Sequence, residues 1–168
     1  MTRTIATTAA LGLLFAAGAA EAKAPPPPKA QIERTSANPT AVISSTATVP
    51  AGSKLIWLSG STASPIDPAK PTEFGDTKTQ TLSILTKMKA QLESMGLGMG
   101  DIIKMNVFLV GVPEKEGRMD SPAMNEVFKT FFGTPEQPNK PTRSTVQVAA
   151  LGRPTTLVEI EAIAAKAP

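Results

Sequence analysis

In the stretch TRSTVQVAALGRPTTLVEIEAIA, residues 142 to 164, one arginine and two glutamates, Arg143, Glu159 and Glu161, stand among β-branched residues. Residue types alone leave two readings open: a buried ion pair at an oligomer interface, or charged groups held in place to act on a ligand. The rest of the composition narrows the chemistry. With no Cys and no His there is no thiolate nucleophile, no Ser-His-Asp triad and no imidazole-based metal or haem site. Tyrosine is also absent, so acid-base work falls to carboxylates, Lys, Arg, hydroxyls or bound water.

These residues must be positioned by strands. Side chains alternate between faces along a strand, so Val158, Ile160, Ala162 and Ala164 share one side while Leu157, Glu159, Glu161 and Ile163 share the other. In the preceding strand Ser144, Val146 and Val148 alternate with Arg143, Thr145 and Gln147. An apolar layer is expected on one side and the charges on the other. The link LGRPTT is longer than the two-residue turns of tight hairpins, so these two strands need not be neighbours.

Upstream, AVISSTATV (41–49) and KLIWLSGS (54–61) read as strands joined by PAGS, which suggests a hairpin. A helix follows, with Leu82, Leu85, Met88, Leu92 and Met95 at spacings of three or four and Gly96 as its stop. Its lysines, Lys78, Lys87 and Lys89, form a solvated face and imply no nucleic acid. DIIKMNVFLVGV (101–112) is a mostly buried strand. A second helix is capped by Asp120 or Ser121, carries the stripe Val127, Phe128, Phe131 and Phe132, and ends at Gly133. The order β-β-α-β-α-β-β gives one layer of helices, which covers one face of a sheet. The other face, expected to bear Arg143, Thr145, Glu159 and Glu161, meets water or another subunit.

At 168 residues, 41% apolar and 18% charged, the chain suits one globular domain. Residues 1–22 run from Arg3 through an apolar stretch to Ala20-Glu21-Ala22, the form of a cleaved signal peptide, which predicts a periplasmic or secreted protein with no membrane contact after cleavage. Residues 23–38 contain four consecutive prolines and read as an extended spacer. The domain is expected over 39–165. The leader holds one basic and one acidic residue, so its loss leaves the net charge at +3. Without cysteines, stability must come from packing or assembly.

LIWLSGS, GLGMGDIIKMNVFLV, MNEVFKTFF and the ending TRSTVQVAAL…VEIEAIA resemble, in order, the successive blocks of the RidA/YjgF family of enamine/imine deaminases, over residues 39 to 164. The resemblance implies a chorismate-mutase-like α+β fold, with two helices on one face of a mixed sheet. It further implies a homotrimer with sites in the inter-subunit clefts. There, 2-enamino or 2-imino acids would be hydrolysed to 2-keto acids and ammonia without a cofactor or metal. By position, Arg143 matches the arginine that grips the substrate carboxylate and Glu159 the carboxylate that positions water. Gly60 matches the glycine whose backbone approaches the ligand, Asn125 a recurrent asparagine, and Thr145 stands where the family usually has cysteine. The family's early strand usually carries a tyrosine in a Gly-Pro-Tyr setting; here the corresponding region is AVISSTATV, with Ser44, Ser45 or Thr46 in its place, which implies a wider or wetter pocket. The alternative is a non-catalytic trimer of the same fold that binds a small carboxylate or a client protein. An older ribonuclease label for the family is disfavoured by the absence of His and by the leader.

Overall fold

The computed structural model describes residues 30–38 and 40–168. The expected leader and most of the expected spacer lie outside the described residues. The chain forms two helices among the described residues, packed on one face of a mixed sheet, the α+β arrangement expected. Strand β1 (Glu33–Thr35) pairs antiparallel with β2 (Thr46–Thr48) in a separate ribbon. The main sheet runs in the order β3 (Lys54–Thr62), β7 (Val158–Lys166), β4 (Ile102–Val112). The far edge of β4 carries β6 (Thr142–Val148), parallel to it, and the short β5 (Arg118–Met119), antiparallel to it.

Helix α1 (Thr77–Ser94) starts where Asp76 Oδ1 accepts a hydrogen bond from the Thr79 N–H at 2.8 Å, satisfying a donor that the first turn cannot. It ends before Gly96, whose φ of +69° suits glycine. Helix α2 (Ser121–Phe131) is capped by Asp120, which accepts from Ala123 N–H at 3.1 Å. Ile84, Leu85, Met88 and Leu92 of α1 and Met124, Val127 and Phe128 of α2 are buried against Met105, Val107, Leu109, Val158, Ile160 and Ala162 of the sheet.

Four expectations change. The hairpin between the first two predicted strands does not form: β2 pairs with β1, and β3 pairs with β7. Glu33–Thr35, assigned to the spacer, is a strand tied to the domain by Arg34, whose Nη2 donates to Gly100 O at 2.7 Å, so ordered structure begins before residue 39. On α1 the buried face is rotated from the predicted stripe: Leu82 is 50% exposed while Gln80 is fully buried. Gln80 donates to Gly75 O and Thr155 O and accepts from Leu157 N–H, which removes the cost of burying an amide.

The fourth change concerns the site. Arg143 lies opposite Met105 and Thr145 opposite Val107, on the helix-covered side, whereas Glu159 pairs with Phe108 and Glu161 with Asn106 on the open side. Alternation fixes the relative faces within one strand, but the phase of β6 is set by its partner. At the margin of the helix layer an arginine can lay its stem along apolar surface, and Val146 is left 46% exposed on the open face. The two last strands are not neighbours, since β4 separates them.

Candidate functional site

Strand β6 and helix α2 bring together one group of the candidate residues. Arg143 Nη2 donates to Asn125 Oδ1 at 2.7 Å, Nη1 approaches Met124 Sδ at 3.5 Å, and the guanidinium carbon stands 4.3 Å from the centre of the Phe128 ring. Met124, Asn125 and Phe128 are presented together because three or four residues make one helical turn. The stacked ring and the amide oxygen hold the fork in place without neutralising it. No acidic side chain forms an ion pair with Arg143 among the described residues, and desolvation by burial pulls the guanidinium down to about 10. A half-buried cation that has lost water and gained no counter-charge is suited to an incoming carboxylate. Thr145, two residues on, keeps its hydroxyl oxygen enclosed with no hydrogen-bond partner.

Strands β3 and β7 hold a second group. Leu58 faces Ala162 while Ser61 faces Ile160, so one extra residue is accommodated in β3 as a bulge around Gly60. The Glu159 carboxylate lies on that glycine: a Cβ built at Gly60 would stand 2.1 Å from Glu159 Oε1. No side-chain hydrogen bond or ion pair engages Glu159 among the described residues. Its neighbour on the same face differs, since Glu161 accepts from Asn106 Nδ2 at 2.7 Å. Glu161 and Asn106 line a cavity of about 200 Å³ with Trp57, Lys104 and Ile163.

Of the five residues picked from the sequence, Arg143, Asn125 and Thr145 are thus grouped on the covered side of β6, and Gly60 and Glu159 on the open side across β3 and β7. One copy of the chain does not bring the two groups together, and Arg143 and Glu159 are not an ion pair within it. Among the described residues no three His, Cys, Asp or Glu side chains converge to hold a metal. Sequence reasoning placed Phe128 in the core alone and did not single out Met124 as a contact of Arg143; their helical spacing with Asn125 was the available signal. The segment expected to stand in for the family tyrosine lies beside the start of β6: Ser44 N–H donates to Pro141 O at 2.9 Å and its hydroxyl to Lys140 O at 2.8 Å. Thr46 instead shares a 2.7 Å hydroxyl contact with Thr35.

The comparisons with known proteins agree with this architecture. A RutC family protein of Pyrococcus horikoshii is 41% identical over 104 residues, covering 61% of this chain and 73% of the relative. A 2-iminobutanoate/2-iminopropanoate deaminase of Salmonella typhimurium is 34% identical over 102 residues, with the same shares of 61% and 73%. Among solved structures, Escherichia coli TdcF with bound serine is similar at a TM-score of 0.53 and 37% identity, covering 71% of this chain and 85% of that one. The Escherichia coli YjgF gene product is similar at a TM-score of 0.52 and 33% identity, covering 69% and 83%. Residues 35–166 match the Endoribonuclease L-PSP family model, and the chain therefore belongs to that family, the RidA/YjgF family, whose members include proteins named as imine deaminases.

Proposed function

We propose that this protein is a cofactor-free deaminase of small 2-imino and 2-enamino acids, acting as a homotrimer in which the Arg143 half-site of one copy meets the Gly60–Glu159 half-site of the next. The observation that carries this reading is a desolvated guanidinium without a counter-charge in a chain whose unpaired carboxylate, Glu159, lies on the opposite face of the sheet. Contact between copies supplies what one copy lacks. Arg143 would take both carboxylate oxygens of the substrate. Glu159 would accept a proton from water as its oxygen attacks C2 of the C=N group, and return it to nitrogen. The same carboxylate then carries the proton of the new hydroxyl to the amine, so that the C–N bond breaks, ammonia leaves and the C=O of the 2-keto acid forms. The sum is imino acid plus water to keto acid plus ammonia.

The decisive measurement is decay of enzymatically generated 2-iminopropanoate and 2-iminobutanoate with residues 23–168. Acceleration on either imine supports the reading, and rates equal to the buffer control on both overturn it for these substrates. One feature of the sequence favours a second reading, a carboxylate-binding trimer without turnover: Ser44, Ser45 or Thr46 takes the place of the tyrosine that the resemblance leads one to expect. Tight binding of a 2-keto acid that Arg143→Ala abolishes, without turnover, would establish it. Export to the periplasm or beyond is part of the proposal and rests on the sequence of residues 1–22. Mass spectrometry of the protein from its native host should find a chain beginning at Lys23; full-length protein in the cytosol would refute it.

A further inference from the structure

Arg143 is not the only residue of β6 whose side chain bonds to another element. Four residues on, and on the same face, Gln147 spends both ends of its amide on backbone groups of β5 and of the glycine just before it. Its Nε2 donates to Gly117 O at 2.9 Å and its Oε1 accepts from Met119 N–H at 2.9 Å. An amide offers both a donor and an acceptor, and used this way the pair imitates the bonds of an adjoining strand. β5 leads at once into Asp120, the cap of α2, and α2 carries Asn125 and Phe128 to Arg143. The contacts close a ring: Arg143, along the strand to Gln147, across to β5, into α2, and back through Asn125.

The approach of β5 is specified from the other side as well. Gly117 O lies 2.0 Å from where a Cβ on Gly111 would stand, so β4 admits this turn only because residue 111 has no side chain. The turn reverses through Glu116 and Gly117, with φ of 57° and 77°. Beyond the two residue pairs that β5 shares with β4, Gln147 is the side chain that links it to β6.

We propose that Gln147 is a positioning residue for the carboxylate grip: by fixing β5, and through it the start of α2, it sets where Asn125 holds the Arg143 guanidinium. The inference rests on the deaminase reading for its kinetic consequence but not for its structural one. A strand and a helix are both stiff over these distances, so loosening one link of the ring shifts Asn125 relative to Arg143. Displacement of a binding group by a fraction of an ångström affects ground-state anion binding first, while Glu159, on β7, is left in place.

The test uses residues 23–168 as wild type, Gln147→Ala, Gln147→Met and a control, Ile56→Val, which trims the core under β3 away from the ring. Two readouts are taken, the kinetics on 2-iminopropanoate and the NMR signals of the Asn125 side-chain amide. Both Gln147 variants should raise KM roughly ten- to a hundred-fold with kcat within about two-fold, and should shift the Asn125 amide. Ile56→Val should lower the unfolding midpoint without either change. An unmoved Asn125 signal overturns the proposal, as does a parallel fall in kcat and stability that the control reproduces. If wild type has no activity on imines, the deaminase reading fails by itself, and the Asn125 signal still decides whether Gln147 positions the guanidinium.

Discussion

The Glu159 carboxylate rests on the backbone of Gly60, at a distance that a methyl group would fill: Oε1 is 2.1 Å from the position of a Cβ there. Gly60 does not sit at a positive φ, so alanine is tolerated by the backbone, and what must move is the flexible end of Glu159. Gly60→Ala should therefore fold with a stability change within about 0.5 kcal/mol while lowering kcat about a hundred-fold, the usual cost of misplacing an acid-base group. Glu159→Gln, which keeps the shape and removes the proton acceptor, should lose a similar factor. Rate measurements and thermal melts check both; full activity in Gly60→Ala would show that the contact does not set the catalytic position.

Arg143→Ala should lose nearly all activity, since truncating one partner of a desolvated charge pair costs about 2 to 5 kcal/mol, or roughly 30- to several-thousand-fold. Arg143→Lys should recover little, because an ammonium cannot reproduce the fork or the stacking on Phe128. Burial lowers the Arg143 pKa to about 10. Binding of a 2-keto acid should thus be flat from pH 6 to 9 and weaken as pH passes 10. The sign for stability is opposite to that of a paired cation. The folded state holds this proton less tightly than the unfolded state, so the contribution of Arg143 to stability rises with pH between its folded and unfolded pKa values. Titration calorimetry across this range reads the first effect, and loss of binding already at pH 8 would exclude Arg143 as the titrating group.

The enclosed hydroxyl of Thr145 has been removed from water and has no partner. An unsatisfied buried hydroxyl costs about 1 to 3 kcal/mol, and an apolar isostere escapes that cost. Thr145→Val should accordingly be neutral or up to about 1 kcal/mol more stable in urea unfolding, with kinetics unchanged. Thr145→Cys should be nearly silent. Clear destabilisation by valine would mean that the hydroxyl is satisfied in the assembled protein.

Residues 23–168 should scatter light as a trimer. Trp57, 68% exposed at the open face beside Ile163, is placed to be covered in that assembly. Trp57→Glu should leave a folded monomer without deaminase activity, because an unpaired charge resists burial. A monomeric wild type would remove the inter-subunit site altogether.

Most of this architecture was legible because local signals agreed. A cap at Asp120 or Ser121, the phenylalanine stripe of α2 and a long strand over 101–112 were each specified by their own residues, and the structure has Asp120 as the cap and the strand from Ile102. The failures arose where pairing decides. A turn such as PAGS is compatible with a hairpin, yet β2 gains its partner from residues 33–35, whose short run carries no strand periodicity. In the same way, Arg143 and Thr145 were placed correctly relative to one another and on the wrong face, because the phase of β6 depends on its register with β4. Gln80 looked like a surface residue, and only its three partners, distant in sequence, allow it to be buried. Gln147 left no trace in the sequence, since its partners are backbone atoms.

The exposure of Trp57 has an optical consequence. The chain has a single tryptophan and no tyrosine, so nearly all its ultraviolet emission originates from one indole on the open sheet face. That indole is hydrated in a lone copy and would be screened from water by a neighbour. Dilution should therefore be visible without any label, as a red shift and greater iodide quenching, and the concentration at which the spectrum turns marks where the assembly comes apart.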